Sequence, residues 1–276
     1  MLAILAAGLM AAAPACATVP GVQSLFADRA KRIVWVGETH GTAQQPALFT
    51  DIVCAAARTR RPVTVALERV RSEQPAWDRF LSSDGGAAAR ADLLKSDGWR
   101  VKLQDGRSSV AMLALAERLR RDKAAGLIEG VQLIIDDGKD FKTNDAYEAN
   151  MAQLVQAAAT AAPSALVLVY SGSAHAQKAK ATFGGPTYRE AAAHLPAASL
   201  VSVELFGDPG MTWECADKTC GPQVYTPAYA HHPRGLSAAD AASGYDALIY
   251  TGRATTASPP AALPPTPEPL GPVGPP

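Results

Sequence analysis

Residues 32–41, RIVWVGETHG, and residues 165–175, ALVLVYSGSAH, share one pattern. Each is an apolar, β-branched run that leads into a glycine, with a histidine three residues after that glycine. An unbroken apolar run of this kind predicts a strand that is buried on both faces of a sheet. Because glycine lets the backbone turn sharply where the strand ends, the pattern directs His40 and His175 over the edge of the sheet.

Further apolar runs extend this pattern along the chain. They are PVTVALE at 62–68, VQLIID at 131–136, SLVSVEL at 199–205 and DALIYTG at 246–252. Between the strands, apolar residues recur with a helical period, for example around Phe49 and Met151. Alternating strands and helices predict an α/β fold with a mostly parallel sheet, helices on both of its faces and right-handed connections.

A helical insertion is predicted at 70–130, between the second and third strands. Its last helix is expected to begin at Ser108 or Ser109 and to end at Gly126. A later helix is expected to begin with Asn144 as its cap. No period repeats along the sequence, which argues against solenoids and propellers.

The composition is that of a folded protein with no electrostatic bias. Of 276 residues, 48% are hydrophobic and 19% are charged, which excludes a disordered chain. Lys+Arg and Asp+Glu both number 26, so no basic excess points to a nucleic-acid partner. The length favours one domain, at residues 18–255.

The two ends of the chain differ from this domain. Residues 1–17, MLAILAAGLMAAAPACA, are uncharged and apolar and end in small residues, as secretory signal peptides do, which predicts export to the periplasm or cell envelope. A lipid anchor at Cys16 is the alternative. Residues 256–276 are predicted to be a disordered, proline-rich tail, since nine of the 21 prolines lie in 259–276.

The cysteines fit an oxidising compartment. Cys215 and Cys220, in WECADKTC, are close enough to close a small loop, and export would favour a disulfide between them. No other cysteine pair exists to complete a zinc site with them. Cys54 lies in an apolar helical pattern, which predicts a thiol in the core.

Ligands of parallel sheets collect beyond the carboxyl ends of the strands, and four strand ends carry suitable side chains. The metal ligands predicted from these ends are Glu38, His40, Glu68, Asp136 and His175. Imidazoles and carboxylates together suit manganese, zinc, cobalt or iron, and a divalent ion would lower the pKa of a bound water. Without a metal, His40 could act as a general base toward water.

The order of these blocks resembles a known superfamily. The blocks are VWVGETHGTAQQP, VALERVRSEQPAWDRFL, QDGRSSVAMLAL, YEANMAQLV and VYSGSAHAQK. Over about residues 32–252, the chain resembles the Tiki/ChaN-like superfamily, which includes erythromycin esterases, ChaN-like haem-binding lipoproteins and Tiki metalloproteases. By that resemblance, Glu38, His40, Glu68 and His175 are catalytic or metal-site positions, and Arg107 supports the pocket.

Three positions depart from the superfamily. Relatives often carry an acid where this chain has Gln44, an Asn where it has Ser173, and an Arg-Asp pair where it has Tyr147 and Glu148. Residues in the outer shell of a site orient its ligands, so these changes leave open whether the site turns over substrate.

Three functions follow as hypotheses. The first is an exported hydrolase of an ester, amide or peptide bond, with a small-molecule or peptide substrate. The second is a haem-binding envelope protein with little or no catalysis, for which Tyr225, Tyr229 or His231 could supply an axial ligand. A structural envelope protein whose proline tail meets a partner is a third. The oligomeric state does not follow from the sequence.

Overall fold

The computed structural model describes residues 16–182, 186–216 and 218–262. The strands are β1 (Ile33–Glu38), β2 (Val63–Val70), β3 (Gly130–Ile135), β4 (Leu166–Gly172), β5 (Lys180–Ala181), β6 (Tyr188–Arg189), β7 (Leu200–Asp208), β8 (Gly210–Ala216), β9 (Thr219–Tyr225), β10 (Gly235–Ala238) and β11 (Ala247–Ala254). The helices are α1 (Gln44–Ala57), α2 (Gln74–Leu81), α3 (Ala87–Leu93), α4 (Val110–Ala124), α5 (Asn144–Ala161) and α6 (Ser173–Ala176).

One seven-stranded sheet organises the domain, in the order β10, β11, β7, β1, β4, β2, β3. Every neighbouring pair in it is parallel except β10 with β11. The predicted α/β fold and its six strands are therefore confirmed. The strands that carry the two glycine-histidine patterns, β1 and β4, are neighbours, and Glu38 lies opposite Gly172 in their register.

Side chains alternate along the strands and so pack into two hydrophobic cores, one on each face of the sheet. Val34 and Val36 of β1 face the helices α1, α2 and α4, whereas Ile33 and Trp35 face α5. Each such fully buried side chain contributes about 1.5–3 kcal/mol of hydrophobic stabilisation. Helices on both faces leave the carboxyl ends of the strands as the open edge of the sheet.

The helical insertion is confirmed, with α2, α3 and α4 between β2 and β3. Helix α4 begins after Ser109, whose hydroxyl accepts a hydrogen bond from the backbone N–H of Met112 at 3.3 Å. The prediction of Asn144 as a cap is wrong by one residue. Thr143 caps α5, and its hydroxyl accepts from the N–H of Ala146 at 3.1 Å.

The hairpin of β8 and β9 was not foreseen from the sequence. The predicted disulfide between Cys215 and Cys220 is confirmed and joins its two strands. The interpretation of Cys54 as a free core thiol is wrong, because Cys54 forms a disulfide with Cys16.

The ordered domain extends past the predicted boundary at residue 255. Residues 256–262 run along the loops that follow β1 and precede α4, and their backbone hydrogen-bonds to those loops; Ser258, for example, donates its N–H to the carbonyl of Gly41 at 2.7 Å. Satisfying backbone groups in this way fixes the segment despite its prolines. The rest of the proline-rich tail, 263–276, lies outside the described residues, as do residues 1–15 of the predicted signal peptide.

Across the described ranges, no helix combines the length and apolar character needed to cross a membrane.

Candidate functional site

The buried carboxylate of Glu68, on β2, is the centre of the site. Its Oε2 accepts a hydrogen bond from the N–H of Gly172, at the end of β4, at 2.6 Å. Its Oε1 accepts one from Nη1 of Arg107 at 2.8 Å. Since β4 lies between β1 and β2 in the sheet, Glu68 faces the residues that follow β1.

Two histidines approach this carboxylate in the same way. Nε2 of His40 lies 3.6 Å from Oε2 of Glu68, and Nε2 of His175 lies 3.6 Å from its Oε1. The other ring nitrogen of each histidine donates to its own carboxylate, Nδ1 of His40 to Glu38 and Nδ1 of His175 to Glu148, the latter at 2.8 Å. Such pairing fixes the orientation of an imidazole and increases its basicity.

These charges control one another's ionisation. Burial favours neutral Glu68, but the positive charges of His175 and His40 prevail and hold the pKa of Glu68 well below its usual range. Burial likewise favours neutral imidazoles, but the carboxylates Glu38 and Glu68 raise the pKa of His40 well above its usual range. For His175, the charges of Glu68 and Glu148 overcome burial and raise the pKa to about 10.

The raised pKa of His175 gives a prediction for stability. Its protonation stabilises the fold fully below its unfolded pKa of about 6.5, and this contribution is lost as the pH rises toward about 10. We expect His175→Gln to lower the free energy of unfolding by about 3 kcal/mol at pH 6. The difference from wild type should shrink steadily up to pH 10. Urea unfolding across this range checks it, with His232→Gln, in an exposed loop, as the control. A difference independent of pH would contradict the assignment.

Arg107 does more than hold a structural acid. Its guanidinium binds Asp105 through Nε at 3.1 Å and through Nη2 at 2.6 Å, while Nη1 reaches Glu68. A planar, five-donor fork suits this double engagement. Arg107 therefore pairs with a neighbouring acid, Asp105, and contacts the central carboxylate, Glu68, at the same time.

The hairpin of β8 and β9 holds the loop that carries His40. The Thr212 hydroxyl donates to the carbonyl of His40, and the N–H of Trp213 donates to the carbonyl of Gly41 at 3.0 Å. Gly41 has a φ of 73°, and a Cβ added there would meet the Trp213 carbonyl oxygen at 2.0 Å. Only glycine permits this close approach.

We therefore expect Gly41→Ala to lower the free energy of unfolding by more than about 2 kcal/mol, from left-handed strain together with the clash. Gly126→Ala is the matched control, because Gly126 has a φ of 69° but nothing lies within 4 Å of its added Cβ. That control should cost only the strain, about 1–2 kcal/mol. Denaturant unfolding of both variants measures the difference. Equal losses of unfolding free energy would show that the contact with the hairpin does not contribute to stability.

An open cleft of about 520 Å³ gives access to the histidines. Glu38, His40 and His175 line it, together with Glu214 and Cys215 from β8. The hairpin thus contributes a wall of the cleft as well as support for the His40 loop.

The predicted metal set fits this geometry poorly. Both oxygens of Glu68 already accept strong donors, and one of these is the guanidinium of Arg107, whose positive charge opposes a cation at the same carboxylate. Asp136 follows β3, the last strand of the sheet, and its Oδ2 pairs instead with Nζ of Lys139 at 3.1 Å. The described structure thus brings four of the five predicted ligands together and leaves Asp136 with another partner.

A different group of donors comes together beside His175. Within the described residues, the ligand atoms of Glu148, His175 and Glu190 lie within 4.8 Å of one another, close enough for one divalent cation to bridge them. Burial, and then the charge of Glu148, raise the pKa of Glu190. In the structure, Glu148 is engaged by Nδ1 of His175 and by the N–H of Ala191 at 3.0 Å.

Of the positions that differ from the superfamily, Tyr147, Glu148 and Ser173 lie at the site, whereas Gln44 lies at the start of α1. Gln44 exchanges two hydrogen bonds with Thr256, and Ser173 lines the cleft. The ring of Tyr147 lies 6.1 Å from that of His175. Glu148 still supplies a carboxylate to His175, so this departure preserves an orienting acid.

The candidate haem ligands contact other residues of the protein. The Tyr229 hydroxyl donates to Glu204 at 2.5 Å, and Nδ1 of His231 lies 2.8 Å from Oδ1 of Asp208. Tyr225 is buried at the end of β9.

Sequence reasoning treated Glu148 only as a departure from the superfamily and missed its role, although its signal was present. Glu148 lies on the same helical stripe as the buried residues Met151, Ala152 and Val155, so an acid interrupts an apolar face. An acid there needs a partner, because unpaired buried charge is costly. Glu190 had no comparable signal, since it precedes a short turn of 3-10 helix.

No protein-family model matches the chain, and no curated protein matches it in sequence. Several solved structures match the chain in fold. A mutant of the erythromycin esterase EreC in its open conformation has a TM-score of 0.60 at 12% identity, covering 84% of this chain and 92% of that one. A succinoglycan biosynthesis protein has a TM-score of 0.55 at 10% identity (83% and 89%), and the type III effector HopBA1 has 0.51 at 17% (88% and 98%). At these identities the likeness shows the fold alone. It supports the predicted α/β fold, which this chain shares with the erythromycin esterase and the succinoglycan biosynthesis protein, and it does not single out a family.

Proposed function

We propose that the chain is a hydrolase of an ester, amide or peptide bond that uses two histidines to move protons. One observation carries the proposal: two imidazoles that line one open cleft, each held at Nδ1 by a carboxylate, have their Nε2 atoms 3.6 Å from the same buried carboxylate, Glu68. A base and an acid in hydrogen-bonding reach of one reacting group are what general acid-base hydrolysis requires.

The two histidines take different parts. At a pH above its raised pKa, His40 is neutral and removes a proton from the attacking water at Nε2, and Glu38 stabilises the imidazolium that forms. The carbonyl carbon gains a bond to the water oxygen, and its own oxygen becomes negative. His175, which its carboxylates keep protonated, then gives its proton to the departing oxygen or nitrogen as the bond to carbon breaks.

Glu68 and Arg107 complete the cycle. Glu68 lies 3.6 Å from both Nε2 atoms, so its negative charge stabilises each imidazole in its protonated form, and His40 and His175 regain their starting states by exchanging protons with water in the open cleft. Arg107 holds Glu68 in place and adds positive charge to the site, where charge develops on the carbonyl oxygen. The products are a carboxylic acid and an alcohol or amine, and the enzyme returns to its starting protonation state.

A substrate panel tests this function. Purified protein is assayed with chromogenic esters, anilides and peptides, and its metal content is measured by elemental mass spectrometry. Hydrolysis in at least one class without stoichiometric metal is the expected result. Stoichiometric zinc, manganese, cobalt or iron that disappears from His40→Ala/His175→Ala would favour the metal-dependent hydrolase that the sequence predicts. No hydrolysis in any class would overturn the proposal.

Haem binding is the competing function. No contact of Tyr229 or His231 favours it over hydrolysis, since both side chains are already hydrogen-bonded within the protein. A haem titration distinguishes the two functions, because an axial His or Tyr ligand would shift the Soret band. We expect no shift.

Export is part of the proposal. It is supported by the apolar sequence of residues 1–17 and by the disulfide between Cys215 and Cys220, since disulfides persist in oxidising compartments. Fractionation of cells that express the full chain tests it, with recovery in the periplasm or envelope as the expected outcome and recovery only in the cytoplasm as the contrary one.

A further inference from the structure

One carboxylate of the cleft takes no part in the proposed reaction. Glu214 lies on β8 and lines the cleft together with His40 and His175. Within the part of the chain that the structure describes, its carboxylate has no hydrogen-bond or ion-pair partner, and neither of its oxygens is enclosed by protein. A molecule that enters the cleft can therefore reach this negative charge directly.

The strand directs Glu214 toward the proposed base. Side chains two residues apart on a strand lie on the same face. Thr212, two residues before Glu214, donates its hydroxyl to the carbonyl of His40, so Glu214 lies on the face of the hairpin that covers the His40 loop. Burial raises the pKa of Glu214 and the positive charge of protonated His40 opposes that rise, which agrees with a short distance between the two groups.

The cations around the cleft already have carboxylate partners. Arg107 binds Asp105 and Glu68. Each of the two histidines is held at Nδ1 by a carboxylate of its own. Among these groups, Glu214 is the charge that keeps no counterion. The cleft therefore attracts a positively charged ligand group and has no cation to spare for a negatively charged one.

The cleft has room and apolar surface for an organic cation. Its volume of about 520 Å³ is in the range of sites for small molecules, and the exposed side chain of Leu103 lines it. Two residues of strand span about 7 Å. A positive charge at Glu214 would thus lie only a few bonds from an ester or amide held at His40.

Resting on the proposed hydrolase function, we infer that Glu214 is a specificity-determining residue that binds a positively charged group of the substrate. The substrate class is then an ester or amide that carries an ammonium group a few bonds from the bond that is cleaved. Glu214 attracts the substrate in its ground state and moves no proton. Its removal should therefore raise KM and leave kcat little changed.

Binding of choline and of neohexanol tests this contact without catalysis. Neohexanol has the shape of choline with carbon in place of the charged nitrogen, and the charge of choline does not depend on pH. Dissociation constants are measured by ligand-observed NMR. We expect Glu214→Gln to weaken the binding of choline about fivefold, the worth of an ion pair at a half-exposed carboxylate, and not that of neohexanol. High salt should weaken choline binding by the wild type in the same way.

Two further variants sharpen the test. Glu214→Lys should weaken choline binding more than Glu214→Gln does, because lysine repels the cation. Glu129→Gln is the matched control, since Glu129 is exposed and precedes β3, at the amino ends of the strands, away from the cleft. It should bind choline as the wild type does. Failure of the wild type to bind choline, or equal effects of Glu214→Gln on both alcohols, would overturn the assignment.

Hydrolysis of the two acetate esters separates this contact from the proposed function. In Glu214→Gln, we expect KM for acetylcholine to rise about fivefold relative to KM for neohexyl acetate. If choline binds through Glu214 but the protein hydrolyses no ester, anilide or peptide, the contact stands and the hydrolase function fails. If both acetates are hydrolysed, and Glu214→Gln changes neither the choline affinity nor the ratio of their kcat/KM values, the hydrolase stands and the contact is overturned.

Discussion

His40→Asn is expected to lower kcat/KM for any hydrolysed substrate by about 10²- to 10⁴-fold, the usual contribution of a general base. Asparagine keeps a donor for Glu38 but has no nitrogen that can take a proton from water. The initial rates of wild type and variant, measured on the same ester, give the ratio directly. KM should change little, because the imidazole acts on the water more than on the bound substrate.

The matched control is His194→Asn. His194 contacts the carbonyl of Arg189 and the carboxylate of Asp145, and it does not line the cleft. Its rate should equal that of wild type. If the two variants lost activity equally, or if neither did, His40 would not be the base.

Glu68→Gln is expected to have the largest effect on stability. The substitution removes the negative charge that faces His40, His175 and Arg107, and loss of one partner from a buried charge cluster costs about 3–5 kcal/mol. Since the pKa of Glu68 is held well below its usual range, its contribution is present above the unfolded pKa of about 4.3 and is lost as the pH falls below it. The difference from wild type in urea unfolding should therefore be largest above about pH 4.3 and should shrink steadily as the pH falls below it toward the folded-state pKa.

Glu214→Gln is the control for this charge, because Glu214 lines the same cleft from β8. We expect its free energy of unfolding to stay within about 0.5 kcal/mol of wild type, as for substitutions away from such clusters. Activity should fall about 10²-fold or more in Glu68→Gln alone, since both histidines lose their shared carboxylate. A stable and active Glu68→Gln would contradict the central place given to this residue.

The sequence predicted the fold and most of the site because both rest on short-range patterns. An apolar strand followed by glycine and then histidine fixes where His40 and His175 leave the sheet. Parallel strands then bring those ends together at one edge, with Glu68 on the next strand. No information beyond strand order was needed to expect these residues at one edge.

The metal ligands could not be predicted from the sequence in the same way, because a carboxylate can bind a metal only if no basic side chain already pairs with it. The strand-end rule placed Asp136 with the others, but Lys139 lies three residues later and holds its carboxylate. Nothing in the sequence shows that Arg107 reaches Glu68, since 39 residues separate them. Because the guanidinium of Arg107 contacts Glu68, this carboxylate is a partner in an ion pair and not a free metal ligand.

The walls of the site were also beyond sequence reasoning. The hairpin that supports Gly41 lies some 170 residues later in the chain and has no alternating pattern strong enough to predict it. Residues 256–262 looked like the start of a disordered tail, yet they pair with the loop at Thr42. Both contacts are long-range backbone pairings, which composition does not encode.

The most direct test of the account is the dependence of kcat/KM on pH, measured for the wild type in the presence of a chelator. Activity needs neutral His40 and protonated His175. Because carboxylates raise the pKa of both imidazoles, we predict a bell whose two limbs both lie above the ordinary histidine pKa of about 6.5, one of them near pH 10. Loss of all activity in chelator, with recovery on adding zinc or manganese, would contradict a hydrolase that works through its histidines alone.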